Sequence, residues 1–145
     1  MVSFPSLTSG PVPTPRVVVA MLVVAVALVA WPARAVDLAG DWAGEWSSTS
    51  TGHSGPLRAS FTPCGPGRYS VEFRGRFCRI LPFRYTVVLA VVEDRGESVI
   101  LAGDSFLGRL FGTFTYRASA DACRFDACYS SRKDRGAFRL TRQGG

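Results

Sequence analysis

The sequence predicts an all-β protein, an eight-stranded antiparallel up-and-down meander closed into a barrel, with a two-sheet β-sandwich as the alternative. Three observations carry this prediction. From residue 36 onward no stretch shows a helical period, whereas short apolar/polar alternations recur at period two. The alternations are separated by brief turn-rich links, which make sequence neighbours pair antiparallel. Each alternation has one apolar, aromatic face, and without a helix to cover a sheet, closure puts all those faces into one core.

The first 35 residues stand apart. Residues 1–16 are polar and Pro-rich and end in Arg16; residues 17–29 are an unbroken apolar run; Trp31-Pro32-Ala33-Arg34-Ala35 follows. This is the three-part pattern of a cleavable secretory signal, with cleavage expected after Ala35 and a secreted or periplasmic product. A membrane anchor would need about 20 apolar residues, and this run has 13. No cysteine follows Ala35, which argues against a lipoprotein anchor. The mature part, residues 36–145, suffices for one barrel domain, with no transmembrane span after cleavage.

Within it, the expected strands are residues 40–47, 56–63, 68–75, 83–92, 97–103, 110–117, 122–130 and 136–142. In the first, Trp42, Gly44 and Trp46 share a face. In the second Leu57, Ala59 and Phe61 oppose Arg58, Ser60 and Thr62, and in the third Tyr69, Val71 and Phe73 oppose Ser70, Glu72 and Arg74. The fourth carries Phe83, Tyr85, Val87, Leu89 and Val91 on one face, yet Val88, Ala90 and Val92 on the other are apolar too, and Val99-Ile100-Leu101-Ala102 continues the trend in the fifth. A strand apolar on both faces is covered on both, so Val88, Val92 and Ile100 are expected to offer a self-association surface. The sixth contributes Phe114 and Tyr116, the seventh Phe125, Ala127 and Tyr129, and the eighth Phe138 and Leu140. Turning the barrel inside out, with the aromatics facing lipid, would require strands of about 9–11 residues, longer than most of these.

Gly40-Asp41-Trp42 resembles the G-x-W that opens the barrels of the calycin group, the lipocalins and avidin-like proteins. The resemblance implies that an Arg late in the last strand packs over this Trp. Arg142, on the face of Phe138 and Leu140, is placed to do so. Trp42 and Arg142 are therefore the expected closure pair. The chain departs from the lipocalin pattern before its seventh strand, where Tyr116-Arg117-Ala118 stands in place of T-D-Y.

Seventeen basic residues against eleven acidic give a net charge of +6. Arg16 and Arg34 belong to the leader, and the remaining excess is spread along the strands, so nucleic acid is not an expected partner. Four cysteines, Cys64, Cys78, Cys123 and Cys128, lie in the mature part. An even count in an exported chain points to disulfides, with free buried thiols as the alternative. Along one strand Cys123 and Cys128 would lie about 16 Å apart, beyond the roughly 7 Å that a disulfide spans. The meander instead favours Cys64 with Cys123 and Cys78 with Cys128. There is no C-x-x-C pair and the single histidine, His53, lies in a Gly/Ser loop, so neither a metal site nor a cofactor is expected.

Catalysis is not expected either. His53 has Ser54 beside it but no evident orienting partner, and Asp41, Glu45 and Glu72 alternate away from the apolar face. No phosphate-binding glycine motif occurs. An aromatic-lined barrel suggests binding of a small apolar molecule at its mouth, near Trp46, Tyr69 and Tyr129, where Gly44 and Ala127 would leave room. The competing expectation is a core filled by its own aromatics and a structural or protein-interaction role in the cell envelope.

Overall fold

The computed structural model describes residues 36–144. The expected leader lies outside the described residues. The eight strands are β1 (Gly40–Ser48), β2 (Ser54–Gly65), β3 (Arg68–Phe77), β4 (Leu81–Asp94), β5 (Ser98–Phe106), β6 (Thr113–Asp121), β7 (Arg124–Ser130) and β8 (Arg135–Arg142). A single helical turn, α1 (Gly108–Phe111), links β5 to β6. Each strand pairs antiparallel with the next, and β8 returns to β1, closing the barrel. The unbroken ring of pairings excludes the sandwich.

The alternation read from the sequence places the side chains. Trp42, Trp46, Leu57, Ala59, Phe61, Val71, Phe73, Val87, Leu89, Phe125, Ala127, Tyr129, Phe138 and Leu140 are all buried, and Arg58, Arg74, Arg84, Arg124 and Arg139 are exposed. Aromatics therefore line the inside, opposite to an inside-out barrel.

Two elements differ from expectation. Strand β6 runs Thr113–Asp121 and not 110–117. Ala118-Ser119-Ala120-Asp121 has the composition of a turn, but Ala118 and Ala120 point inward and are buried, filling the space left beside larger neighbours. Leu110 belongs to α1, which is short enough to leave no period, begins at Gly108 (φ 86°) and is followed by Gly112 (φ 75°), conformations that favour glycine. The outer apolar patch is also smaller than expected. Val88 and Val92 are exposed, but Ile100 is only 8 % exposed. A β-bulge in β4 sets Val91 opposite Leu101 and Glu93 opposite Ile100, so Val92 is an extra residue beside Ile100 on the outer wall.

The barrel has two unlike ends. At the proximal end, where β1 begins, residues 36–39 lie across the opening. Leu38 is fully buried and its carbonyl accepts a hydrogen bond from the Trp42 indole at 3.0 Å. Its N–H donates to the Tyr69 hydroxyl (3.3 Å), which donates in turn to the Val36 carbonyl (3.4 Å). Arg142 straps this segment down. Its guanidinium donates to the carbonyls of Ala39 (2.7 Å), Ala122 (2.7 Å) and Asp37, and stacks 4.6 Å from the Trp42 ring centroid. Trp42 and Arg142 are direct partners across β1 and β8. Beneath them Trp42, Phe61 and Phe125 pack ring on ring, with Phe61 and Phe125 5.1 Å apart.

Candidate functional site

With the proximal end plugged, the distal end, where β1 finishes, is the remaining mouth. Its wall has a repeated local design. Four glycines stand directly opposite an aromatic on the neighbouring strand: Gly55 opposite Trp46, Gly75 opposite Phe83, Gly103 opposite Tyr116, and Gly136 opposite Tyr129. A Cβ at Gly75 would come within 2.4 Å of the Phe83 ring, one at Gly136 within 2.4 Å of the Tyr129 hydroxyl, and one at Gly55 within 3.0 Å of the Trp46 indole nitrogen. At these three positions the ring lies over its glycine, along the wall of the barrel. Glycine–aromatic pairs of this kind stabilise strongly curved sheets.

The rings so held form a continuous distal layer. Phe73 and Phe138 lie 5.1 Å apart, Tyr129 and Phe138 5.1 Å, Tyr116 and Phe138 6.2 Å, and Tyr85 stacks on Tyr116 at 6.4 Å. Nearer the rim Trp46 stacks on Phe77 at 5.8 Å and meets Phe83 edge-on at 6.0 Å. Phe83 and Tyr85 are half-buried, so this layer reaches solvent.

Three phenols enter this layer. Tyr129 donates to the Asp134 carboxylate at 3.2 Å, with the Ser47 carbonyl at 3.4 Å. Tyr116 is 2 % exposed, and its hydroxyl has only the Tyr85 phenol beside it, with no well-formed hydrogen bond. Burial pushes all three ionisations upward, most strongly for Tyr85, where Tyr116 adds to the effect. The Asp134 charge raises Tyr129 further, while the nearby Tyr85 hydroxyl offsets part of the rise at Tyr116. All three remain neutral donors at ordinary pH. Ser48 is the single buried polar residue among those described besides the tyrosines, and no carboxylate or imidazole is buried with it.

The expected site residues separate. Trp46 and Tyr129 are distal, but Tyr69 sits at the proximal end, where its hydroxyl is occupied by Val36 and Leu38. Strands β1 and β3, each antiparallel to β2, run in the same direction, so the end of one lies at the opposite end of the barrel from the start of the other. Gly44 leaves no room either, since a Cβ there would lie 2.0 Å from the Arg139 carbonyl of β8. Alternation was enough to mark Tyr85 and Tyr116 as inward, but their approach depends on β4, β5 and β6 register.

Two surface depressions outside the barrel accompany this interior. One runs along the outer wall of β7 and β8, lined by Arg124, Asp126, Cys128 and Arg139, and the other lies at the proximal end by Asp37, Glu97, Asp121 and Arg142.

No protein-family model and no curated protein matches this chain.

The cysteines correct the disulfide expectation: all four are free and exposed. Cys64 and Cys123 lie at the proximal end and Cys78 and Cys128 toward the distal end, as the meander predicts, but β2 is not a neighbour of β7, nor is the β3–β4 turn. The barrel stands between them. One contact was not legible in the sequence. The exposed turns 49–53 and 78–80 meet, placing the Cys78 sulfur 4.0 Å from His53 Nδ1 and His53 against Phe77. No third group completes this pair, and among the described residues no cluster of three or more His, Cys, Asp or Glu could hold a metal ion.

Proposed function

We propose that this is an exported, non-catalytic β-barrel that binds a small apolar molecule bearing a polar acceptor, in the distal half of the lumen. One observation carries the reading: the Tyr116 hydroxyl is buried among aromatic rings with only the Tyr85 phenol beside it, and makes no well-formed hydrogen bond. A buried phenol normally finds an acceptor, and leaving one unmade costs about 1–3 kcal/mol. A ligand acceptor placed beside Tyr116 recovers that cost, while Phe73, Tyr85 and Phe138 supply its apolar walls. The way in passes the half-buried Phe83 and Tyr85, with Trp46 at the rim.

Binding rather than chemistry is favoured because the lumen presents neutral phenols and no buried acid or base. The closed barrel with a Trp under a late Arg supports the calycin resemblance, whose members hold ligands in this way. The leader pattern supports a secreted or periplasmic location. The dense ring-on-ring packing favours a second reading, a filled barrel acting as an envelope interaction module. Titration of the intrinsic Trp fluorescence with apolar probes and lipids separates the two. Trp46 reports on the distal rim and Trp42 on the plugged end. The proposal expects a saturable change; no saturable change with any probe leaves the second reading.

A further inference from the structure

The sequence disperses its basic residues, but the fold gathers several of them. Turns 49–53, 78–80, 107–112 and 131–134 all lie at the distal end. Two of them are tied together by Lys133 Nζ donating to the Leu110 carbonyl at 2.8 Å. The turns and strand ends there carry Arg76, Arg79, Arg109, Arg132, Lys133 and Arg135, all exposed. The acidic residues of this end are fewer: Asp134 is engaged by Tyr129 and Ser48, Asp104 lies on β5, and Glu45 lies beside Trp46 on β1. By contrast Asp37, Glu93, Asp94, Glu97 and Asp121 are all at the proximal end.

The same distal turns expose large apolar side chains. Ile80 is 84 % exposed and Leu110 74 %, and Phe77, Leu81, Phe106 and Phe111 are exposed with them. They sit on two projections, the β3–β4 hairpin turn and α1. The hairpin turn places Cys78 and Arg79 at positive φ, closed by Ile80 N–H donating to the Phe77 carbonyl at 3.2 Å. Helix α1 is closed by Gly112 N–H donating to the carbonyl of Gly108, its first residue, at 2.8 Å.

We propose that the distal end docks on the surface of an anionic lipid bilayer, with the two projections inserting at the headgroup boundary. Such docking does not depend on a ligand in the lumen. Apolar tips surrounded by cations match a surface that is negatively charged outside and apolar beneath. A second copy of this chain would oppose cation to cation, and a nucleic acid would leave Ile80, Leu110 and Phe111 in water.

The test is co-sedimentation of the protein, as isolated after export, with phosphatidylcholine vesicles and with mixed phosphatidylcholine–phosphatidylglycerol vesicles. Binding to the mixed vesicles is expected to exceed that to the neutral ones by at least about tenfold and to fall with added salt. Leu110→Glu with Phe111→Glu, and separately Arg109→Glu with Arg132→Glu, are expected to reduce it about tenfold each. All four side chains are exposed, so circular dichroism should be unchanged. Equal binding to neutral vesicles, or binding to mixed vesicles that both double variants retain, overturns the proposal. So does concentration-dependent dimerisation lost in the Leu110→Glu, Phe111→Glu variant without any vesicle binding.

Discussion

Arg142→Ala tests how the barrel is closed. The guanidinium stacks on a Trp42 ring that is almost fully buried, and it donates to three carbonyls that hold residues 36–39 and the β6–β7 turn in place. The stacking contributes about 1 kcal/mol. Each charge-assisted bond, discounted for its partial exposure, adds about 0.7 kcal/mol. The variant should therefore lose about 3 kcal/mol, or roughly 12 °C in Tm for a domain of this size. The loss should also show as faster amide exchange of Leu38 and Trp42, because the plug loses its strap. Arg142→Lys keeps the charge but loses the planar fork, and should recover only a minor part. Thermal unfolding followed by circular dichroism measures the effect. An Arg142→Ala loss below about 0.5 kcal/mol, the range of an ordinary surface substitution, would refute the reasoning.

Other expectations follow from the same geometry. Gly136→Ala should destabilise by about 2 kcal/mol or more in chemical denaturation, because its Cβ would meet the Ser47 carbonyl and the Tyr129 hydroxyl inside van der Waals distance. All four thiols of the native protein should react promptly with a thiol reagent, since each is free and exposed; unreactive cysteines would show that they are paired. Asp121 accepts the N–H groups of Cys123 and Arg124, both at 2.7 Å, which hold its carboxyl below the ordinary aspartate range. Its folded pKa is thus depressed, so its contribution is present above the unfolded value and is lost as pH falls through the folded one. The stability deficit of Asp121→Ala should be full at neutral pH and shrink on acidification. A deficit independent of pH would show that the charge is irrelevant.

The fold was legible because period-two alternation is a local signal. Leu57, Ala59 and Phe61 declare their face within five residues, and eight such segments with short links leave few topologies. Strand ends were less legible. Ala118 and Ala120 have a turn's composition but a strand's burial, and only their opposition to Leu101 and Val99 reveals why. The Trp42–Arg142 pairing could be anticipated because, in a closed meander, the first and last strands must meet. The candidate site was only half legible. Parity marks Trp46, Tyr85, Tyr116 and Tyr129 as inward, but which of them meet depends on register and on which end each strand terminates. That is why Tyr69, equally inward, fell at the wrong end. The glycine–aromatic pairs were invisible for the same reason, since Gly75 and Phe83 become partners only through the β3–β4 register. Cysteine pairing failed because parity of count says nothing about separation across a barrel.

Tyr116→Phe tests the central claim most directly, read as stability and binding in the same protein. The hydroxyl is buried with no well-formed hydrogen bond, only the Tyr85 phenol beside it, so in the free protein its removal should be close to neutral or stabilising by up to about 1 kcal/mol. If it serves a ligand acceptor, the same change should weaken the probe that gives the strongest saturable Trp fluorescence change, by about tenfold. More stable and weaker-binding is the predicted combination. A variant that binds every such probe as tightly as the parent would contradict the assignment of the distal lumen as the binding site.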